Sequence, residues 1–549
     1  MTDSVAPRST DRAGLMAALA AAGHCDVAVV GGGATGLGVA LDAALRGLSV
    51  VLVESHDFAK GTSSRATKLV HGGVRYLAQG NIALVYEALR ERSILLRNAP
   101  HLAGRLPFVM PGYRCWQAPV YGAGLKFYDA LAGKAGLGAT RFLSPRQTRR
   151  CLPNIQSRGL KAGVKYWDGQ FDDARLAVAL ARTAAAQGAL LVNYCAATGL
   201  LHEGGRVAGV RCTDMETGAD YAVRAKCVIN ATGVWVDELR RKDGAAMHRP
   251  VASLVEPSQG VHLVVDRDFL PGGHALLVPG TRDGRVLFAV PWLGKVILGT
   301  TDTPCHHLSR EPRALSAEVG FILEEAANYL CRAPTRDDVR SVWAGLRPLV
   351  RPAHGEGGRR ATKRLSREHS ILVGASGLVT VTGGKWTTYR AMAEDVLDEC
   401  VAASLLPPLA PGRTADFPLV GAARGVSRLP PRQGPPRRRA RGGAAAGLSA
   451  APGPALYGTE SGWLETLPGY DCELCEGLTQ AMVRFAARHE YARTVEDMLA
   501  RRSRLLFLDA ALAARVAPRV AEIMREELGR DPKLEEFLLL AGQYLRLPD

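Results

Sequence analysis

The chain has 549 residues, too many for a single hydrophobic core, so two or three domains are expected. Its composition is ordinary for a folded protein, and no window of about 18 apolar residues lacks charges or glycine turns, which argues against a membrane-spanning helix. A formal charge of +16 admits an anionic substrate, an anionic membrane or nucleic acid without choosing among them.

The charge is uneven. Arg424, Arg428, Arg432, Arg437, Arg438, Arg439 and Arg441 form an acid-free run, and without it the balance falls to +9. Aromatics are sparse around those arginines, so base stacking has little support and no nucleic-acid partner is expected. Eleven cysteines, odd in number and scattered, fit a reduced cytosolic chain better than a disulfide framework. Cys472 and Cys475 lack the second pair or histidines that would complete four ligands, so no metal site is expected.

Residues 1–24 are alanine-rich and feed directly into a strand, which predicts a short amphipathic leader helix rather than a signal peptide. The stretch Asp26 to Glu54 then reads strand, glycine turn, helix, strand. Within the triplet Gly31-Gly32-Gly33 the first glycine permits a tight turn and the last lets the backbone approach a pyrophosphate; Gly36 lets the helix lie against the strand. Glu54, closing the second strand, is placed to accept hydrogen bonds from an adenosine ribose, so a dinucleotide site is predicted.

The loop that follows, DFAKGTSSRATKLVHGGVRYLAQG, can supply backbone and hydroxyl donors to phosphates, and it sets His71 and Arg75 four residues apart. Residues 82–96 have the spacing of a surface helix, whereas 106–145, rich in Gly, Pro and aromatics, predict an excursion away from the sheet. Residues 172–194 read as a capped helix and a strand, 207–224 as a hairpin, and 227–233 as a buried strand ending in the small-residue turn Ala231-Thr232-Gly233. Between 251 and 303 short β-rich runs alternate with turns, which predicts an antiparallel substrate-side layer. A helix over 316–330, strands near 342–350 and 369–374, and a glycine turn with a long helix over 380–402 complete the unit. Residues 421–454 are low-complexity Pro, Arg, Gly and Ala and predict a poorly packed linker; the remainder predicts a small helical domain.

Taken together, VGGGATGLGVALDAALRG, TSSRATKLVHGGVRYL, GLRPLV and GGKWTTYRAMA resemble the FAD-dependent glycerol-3-phosphate dehydrogenase family, and HEYARTVEDMLARRSRLLFLD resembles its C-terminal helical domain. The likeness runs from about Cys25 onward and is interrupted only by the Pro/Arg/Gly/Ala segment; Leu37 stands where the family usually has a small residue.

The resemblance implies an α/β fold: a glutathione-reductase-like, Rossmann-type FAD-binding domain, an antiparallel β-sheet substrate cap and a C-terminal α-helical domain. The boundaries expected are 25–402 for the oxidoreductase domain, divided into FAD-binding parts (25–100, 165–250, 340–402) and cap parts (101–164, 251–339), then a linker at 403–455 and a helical domain at 456–549. It implies oxidation of sn-glycerol 3-phosphate to dihydroxyacetone phosphate, with electrons passed to a membrane quinone. An oxidase using O2 and an amino-acid-oxidase-like flavoenzyme are the alternatives.

Family matches place FAD on Gly31, Gly32, Gly33, Gly36, Glu54, Thr62, Ser63, Ser64, Lys68, His71, the Ala231-Thr232-Gly233 turn, Gly384, Lys385 and Thr387. They place substrate against His71, Arg75, Arg347, Arg367 and Lys385. Alcohol oxidation needs a base for the hydroxyl proton, for which His71 is the candidate and His262 the rival. A cytoplasmic protein bound peripherally to the anionic inner face of the cell membrane is expected, with a homodimer left open.

Overall fold

The computed structural model describes residues 6–77, 80–282, 284–351, 369–423 and 448–549. Arg367 and the arginine run from Arg424 to Arg441 lie outside the described residues.

The strand His24–Val30 organises the first layer. Val27 and Val29 point into one apolar cluster while Ala28 and Val30 point into another, and such two-sided burial is what a central parallel strand requires. It pairs in parallel with Val50–Val53 on one side and Asp220–Asn230 on the other, and Leu190–Val192 and Val379–Gly383 extend the parallel array. His369–Val373 adds an antiparallel edge, and Cys195–Glu203, Arg206–Asp214 and Asp220–Asn230 form an antiparallel meander. The helix Ala34–Leu45 packs against both Asp173–Ala186 and Tyr389–Ala402. Asp172 starts Asp173–Ala186 by accepting a hydrogen bond from the Arg175 amide, the cap its sequence predicts. The leader forms the helix Arg12–Ala21, capped by Asp11 and tied down where the Arg12 guanidinium meets Asp214 at 2.5 Å.

The second sheet has 10 strands and is the layer expected on the substrate side. It is antiparallel except where Ala275–Val278 runs parallel to Ala103–Gly112. Two predicted boundaries move. Val339–Val350, assigned above to the FAD-binding part, pairs along its length with Val255–Asp266 in this sheet, and Ala162–Phe171 pairs with Ala103–Gly112. The excursion expected over 106–145 is itself regular: it contains most of the strand Ala103–Gly112, the helix Gln117–Ala132 and the short edge strand Arg141–Leu143. Pro107 and Pro111 within the strand and Pro119 in the first helical turn mask the periodicity without breaking either element. The helix Ile82–Asn98 is also more than a surface helix, because Glu91 and Arg92 are buried and paired with Arg390 and Asp168.

Of the predicted linker, the described flanks are packed: the Leu419 amide donates to the Asn98 carbonyl at 2.9 Å, and Leu448 accepts from the Leu293 amide at 2.7 Å. The C-terminal domain consists chiefly of Gln480–His489, Ala510–Leu528 and Leu534–Leu545. Thr479 and Asp509 cap the first two with their side chains, and Gly529 ends the second in a left-handed conformation at φ 64°.

Charges rather than apolar surface alone fasten this domain. Asp57, fully buried, sits between Arg501 and Arg502; Arg504 reaches Asp173 at 3.0 Å and Asp172 at 3.4 Å. Arg175 pairs with Glu490 at 2.8 Å, Arg182 with Glu460 at 2.6 Å, and Lys60 with Glu496 at 2.5 Å. Burial opposes the Asp57 charge, but Arg502 and Arg501 outweigh it and hold the carboxyl below the usual range. Asp57→Asn leaves two buried guanidiniums without their carboxylate and is expected to cost about 3–5 kcal/mol. Because the folded pKa is lowered, this stabilisation is present above the unfolded carboxyl value of about 3.9 and lost as pH falls through the folded one. Thermal unfolding and limited proteolysis at neutral pH should show the variant melting early and cleaving first within the C-terminal domain; an unchanged melting temperature would remove Asp57 from this role.

Candidate active site

Where the two sheets meet, one cavity of about 480 Å³ runs from the glycine turn to the substrate sheet, within the usual size range of small-molecule sites. Its first wall is Gly31, Gly33, Ala34 and Thr35. Gly31 has φ 110°, and a Cβ there would lie 2.7 Å from the Ala231 carbonyl oxygen; a Cβ on Gly36 would lie 2.0 Å from the Gly31 carbonyl oxygen. Both glycines are therefore demanded by backbone approach. Gly36 and Gly32 stand behind the wall rather than on it, and the Gly32 amide donates to Glu54 Oε2 at 2.7 Å. Glu54 lines the cavity at the end of its strand, with Oε1 accepting from the His56 amide at 2.9 Å.

The loop after Glu54 divides. Thr62 and Ser63 line the cavity; Ser63 Oγ accepts from the Ala34 amide at 2.9 Å at the start of the glycine-turn helix. Ser64 and Lys68, expected to hold cofactor, face away from it. Lys68 Nζ donates to the Ser64 carbonyl and to Asp173 Oδ2, both at 2.7 Å, and lies 4.7 Å over the Trp343 ring, with Trp292 and Phe507 at 5.4 Å. Its backbone φ of 64° turns the side chain into this cage, so Lys68 is corrected from cofactor ligand to buried support. Burial, opposed by Asp173, pushes its ammonium down to about 7.

Ala231, Thr232 and Gly233 form the next wall, with Thr232 Oγ1 donating to Asn230 Oδ1 at 2.7 Å. Gly384, Lys385 and Thr387 form another, and Trp386 Nε1 donates to the Ser63 carbonyl at 2.8 Å, joining this turn to the hydroxyl loop.

His71, His262 and Arg347 all line the cavity, and His262 and Arg347 stand on paired strands of the second sheet. His262 is 2% exposed and stacks on Trp343 with ring centroids 4.1 Å apart; its Nε2 is 3.0 Å from Thr67 Oγ1. A Cβ on Gly299 would lie 2.5 Å from the imidazole, so that glycine makes room for the ring. Burial first, then Lys68 and Arg347, hold His262 well below the ordinary imidazole value, and it is neutral at pH 7.

Arg347 projects from Val339–Val350 into space that Gly260 leaves open: a Cβ on Gly260 would lie 2.2 Å from Nη2. Its guanidinium pairs with Asp302 at 3.1 Å, and Nη2 donates to the Thr301 carbonyl at 2.9 Å and to Thr300 Oγ1 at 3.1 Å. Arg75 falls in the short helix Val74–Leu77, and Arg367 is outside the described residues. Sequence reasoning missed Thr67, Phe288, Gly260 and Gly345, which also line this end. Thr67 lay inside the quoted hydroxyl loop, whereas the others carry no local signal because strand pairing alone brings them to the cavity.

A two-phosphate, two-ring cofactor fits these walls: a glycine turn that excludes side chains, a helix start beside hydroxyls, a carboxylate at a strand end and a long cleft reaching a second sheet. Comparison with known proteins agrees. Residues 26–390 match the FAD dependent oxidoreductase family, and residues 473–535 match the C-terminal domain of alpha-glycerophosphate oxidase. The chain is 41% identical over 540 residues to the mitochondrial glycerol-3-phosphate dehydrogenase of Bos taurus, covering 95% of this chain and 73% of that protein. It is 38% identical over 555 residues to the mitochondrial glycerol-3-phosphate dehydrogenase SDP6 of Arabidopsis thaliana, covering 96% and 86%. The crystal structure of the Bacillus halodurans glycerol-3-phosphate dehydrogenase complexed with FAD superposes with a TM-score of 0.74 at 29% identity, covering 97% of this chain and 98% of that one. With one architecture shared over nearly its whole length, the chain belongs to the FAD-dependent glycerol-3-phosphate dehydrogenase family.

Proposed function

We propose that the protein oxidises sn-glycerol 3-phosphate to dihydroxyacetone phosphate and that the electrons leave to a membrane quinone from the inner face of the cell membrane. The observation that carries the reading is the corner where a neutral, buried imidazole and a fixed guanidinium share the end of the FAD-shaped cavity. FAD, when bound, supplies the two-electron acceptor. The protein's own groups bind the substrate and move its proton.

His262 accepts the hydroxyl proton: it is neutral, and Thr67 fixes its ring through Nε2 while Trp343 supports its face. Lys68 and Arg347 keep it from retaining that proton. Arg347 takes the substrate phosphate, with Arg75, Arg367 and Lys385 as further cationic groups and His71 on the cavity wall beside Thr387. Asp302 pre-positions the Arg347 guanidinium, so phosphate binding exchanges some of its present hydrogen bonds. Among the described residues no helix is long and apolar enough to cross a membrane, so a peripheral arrangement supplies access to the quinone.

Anaerobic addition of glycerol 3-phosphate to the purified yellow protein should bleach the flavin band; a colourless protein that reduces NAD with this substrate would overturn the reading. Arg347→Leu should retain flavin and lose about 10- to 150-fold in kcat/KM on glycerol 3-phosphate, with a much smaller loss on glycerol. An equal loss on both substrates would instead make the Asp302 pair structural. His262→Asn should lower kcat by about 10²-fold or more at unchanged flavin content. Because the His262 pKa is lowered, its proton-accepting form persists in mild acid, so wild-type kcat at saturating substrate, which unlike kcat/KM does not carry the titration of the free substrate's phosphate near about pH 6, should stay flat down through about pH 6.5, imidazole's ordinary value. A tenfold fall per pH unit beginning at that value would assign the proton to another group.

A further inference from the structure

Between the second sheet and the helix Ser316–Tyr329 the chain crosses residues 305–313, a segment without regular structure. Both of its ends are moored to the strand Val255–Asp266: the Cys305 amide donates to the Pro257 carbonyl at 2.9 Å, and Gln259 Nε2 donates to the Arg313 carbonyl at 2.9 Å. Between those ends, every hydrogen bond or ion pair that leaves the segment, among the described residues, belongs to Glu311. Its carboxylate meets Lys60 at 2.6 Å and Arg65 at 2.7 Å, and the Tyr544 hydroxyl of the last helix donates to it at 3.2 Å. Burial opposes the charge, but Arg65 and Lys60 outweigh it and hold the carboxyl below its usual value. Such a buried, doubly paired carboxylate is a firm fastening for an otherwise loosely held segment.

The neighbouring Arg310 lines the cavity. Its guanidinium lies 3.8 Å over the ring of Trp235, which also lines the cavity, and a Cβ on Gly61 would come 3.1 Å from Cζ3 of that indole. The hydroxyl loop and Arg310 thus pack on one ring. Among the described residues Arg310 has this indole contact and no carboxylate partner. Its charge is felt at His56, where burial first, then Arg310 and Lys60, outweigh Glu54 and hold the imidazole below its ordinary value. His56 in turn gives its amide to Glu54, so the unpaired guanidinium stands at the end of the cleft that the ribose carboxylate marks. A guanidinium stacked on an aromatic face keeps its N–H donors free at the rim of its plane, and a phosphate is what that fork recognises.

We infer that residues 305–313 form a strap across the adenosine-diphosphate half of the bound flavin, with Arg310 as its contact to the phosphates and Glu311 as its fastening, and that this strap sets how slowly FAD leaves. Because Glu311 is held by Tyr544 and shares Lys60 with Glu496, the C-terminal domain takes part in retaining the cofactor. The strap requires only the FAD of the family and is independent of the substrate and acceptor proposed above.

The test uses full-length holoprotein loaded with radiolabelled FAD, chased with excess unlabelled FAD and counted for retained label. Arg310→Leu, which keeps an apolar contact with the indole but has no donors, should release label about tenfold or more faster than wild type, with Arg310→Lys between the two. Glu311→Gln should also speed release, and hydrogen exchange of the same holoprotein should show residues 305–313 opening faster. Should Glu311→Gln fold poorly, Tyr544→Phe removes one of the three ties and gives the same readouts at smaller size. An Arg310→Leu protein that holds its label as long as wild type would leave the indole contact structural and overturn the proposal. Release at the wild-type rate from both Glu311→Gln and Tyr544→Phe would overturn the fastening. Wild type that purifies colourless would remove the cofactor itself and the strap with it.

Discussion

The structure depends on carboxylates that have been taken out of water and can remain charged only because guanidinium and ammonium groups from distant parts of the chain come to meet them. Asp173 ties distant segments together: one oxygen accepts from Lys68 of the hydroxyl loop and the other from Arg504 of the C-terminal domain. Asp57 does the same with Arg501 and Arg502. Desolvating such groups is expensive, and a pair repays the cost only when its geometry is complete. Each carboxylate therefore constrains the loop, the helix it begins or follows, and the tail at once. The C-terminal domain is thus part of the frame that shapes the cavity.

That frame reaches the chemistry through a short stack. The His262 ring lies on Trp343, and Lys68 lies over the same indole. A cation held this close, together with Arg347, disfavours a second positive charge on the imidazole, and burial acts in the same direction. In the role proposed for it, an imidazole in such a place is deprotonated and poor at keeping a proton, which suits one that must move on to solvent. Gly299 and Gly260 contribute by absence, each leaving the volume that a functional side chain fills.

How much of this was legible in the sequence follows from the range of the interactions. The glycine turn, Glu54, the small-residue turn at 231–233 and the glycine turn before Tyr389–Ala402 are local motifs, and each appears on the cavity wall where the motif implied. Lys68 was misplaced because its neighbours in sequence are phosphate-binding hydroxyls, while its positive φ and the aromatic cage come from residues as far away as Phe507. The Asp302 partner of Arg347 was likewise hidden, because antiparallel pairing with Val255–Asp266, not nearness along the chain, brings Arg347 to it. The strand and helix within 103–132 were obscured by prolines lying at tolerated positions.

The cage around Lys68 also imposes an order on biosynthesis. Two of its components, Trp343 and Trp292, belong to the second sheet, but Phe507 and the Arg504 that shares Asp173 leave the ribosome well after both. A nascent chain can pair its early strands and form the glycine turn, yet the ammonium beside His262 stays partly open until Arg504 and Phe507 have emerged. A chain cut before Arg504 thus lacks the finished setting of His262.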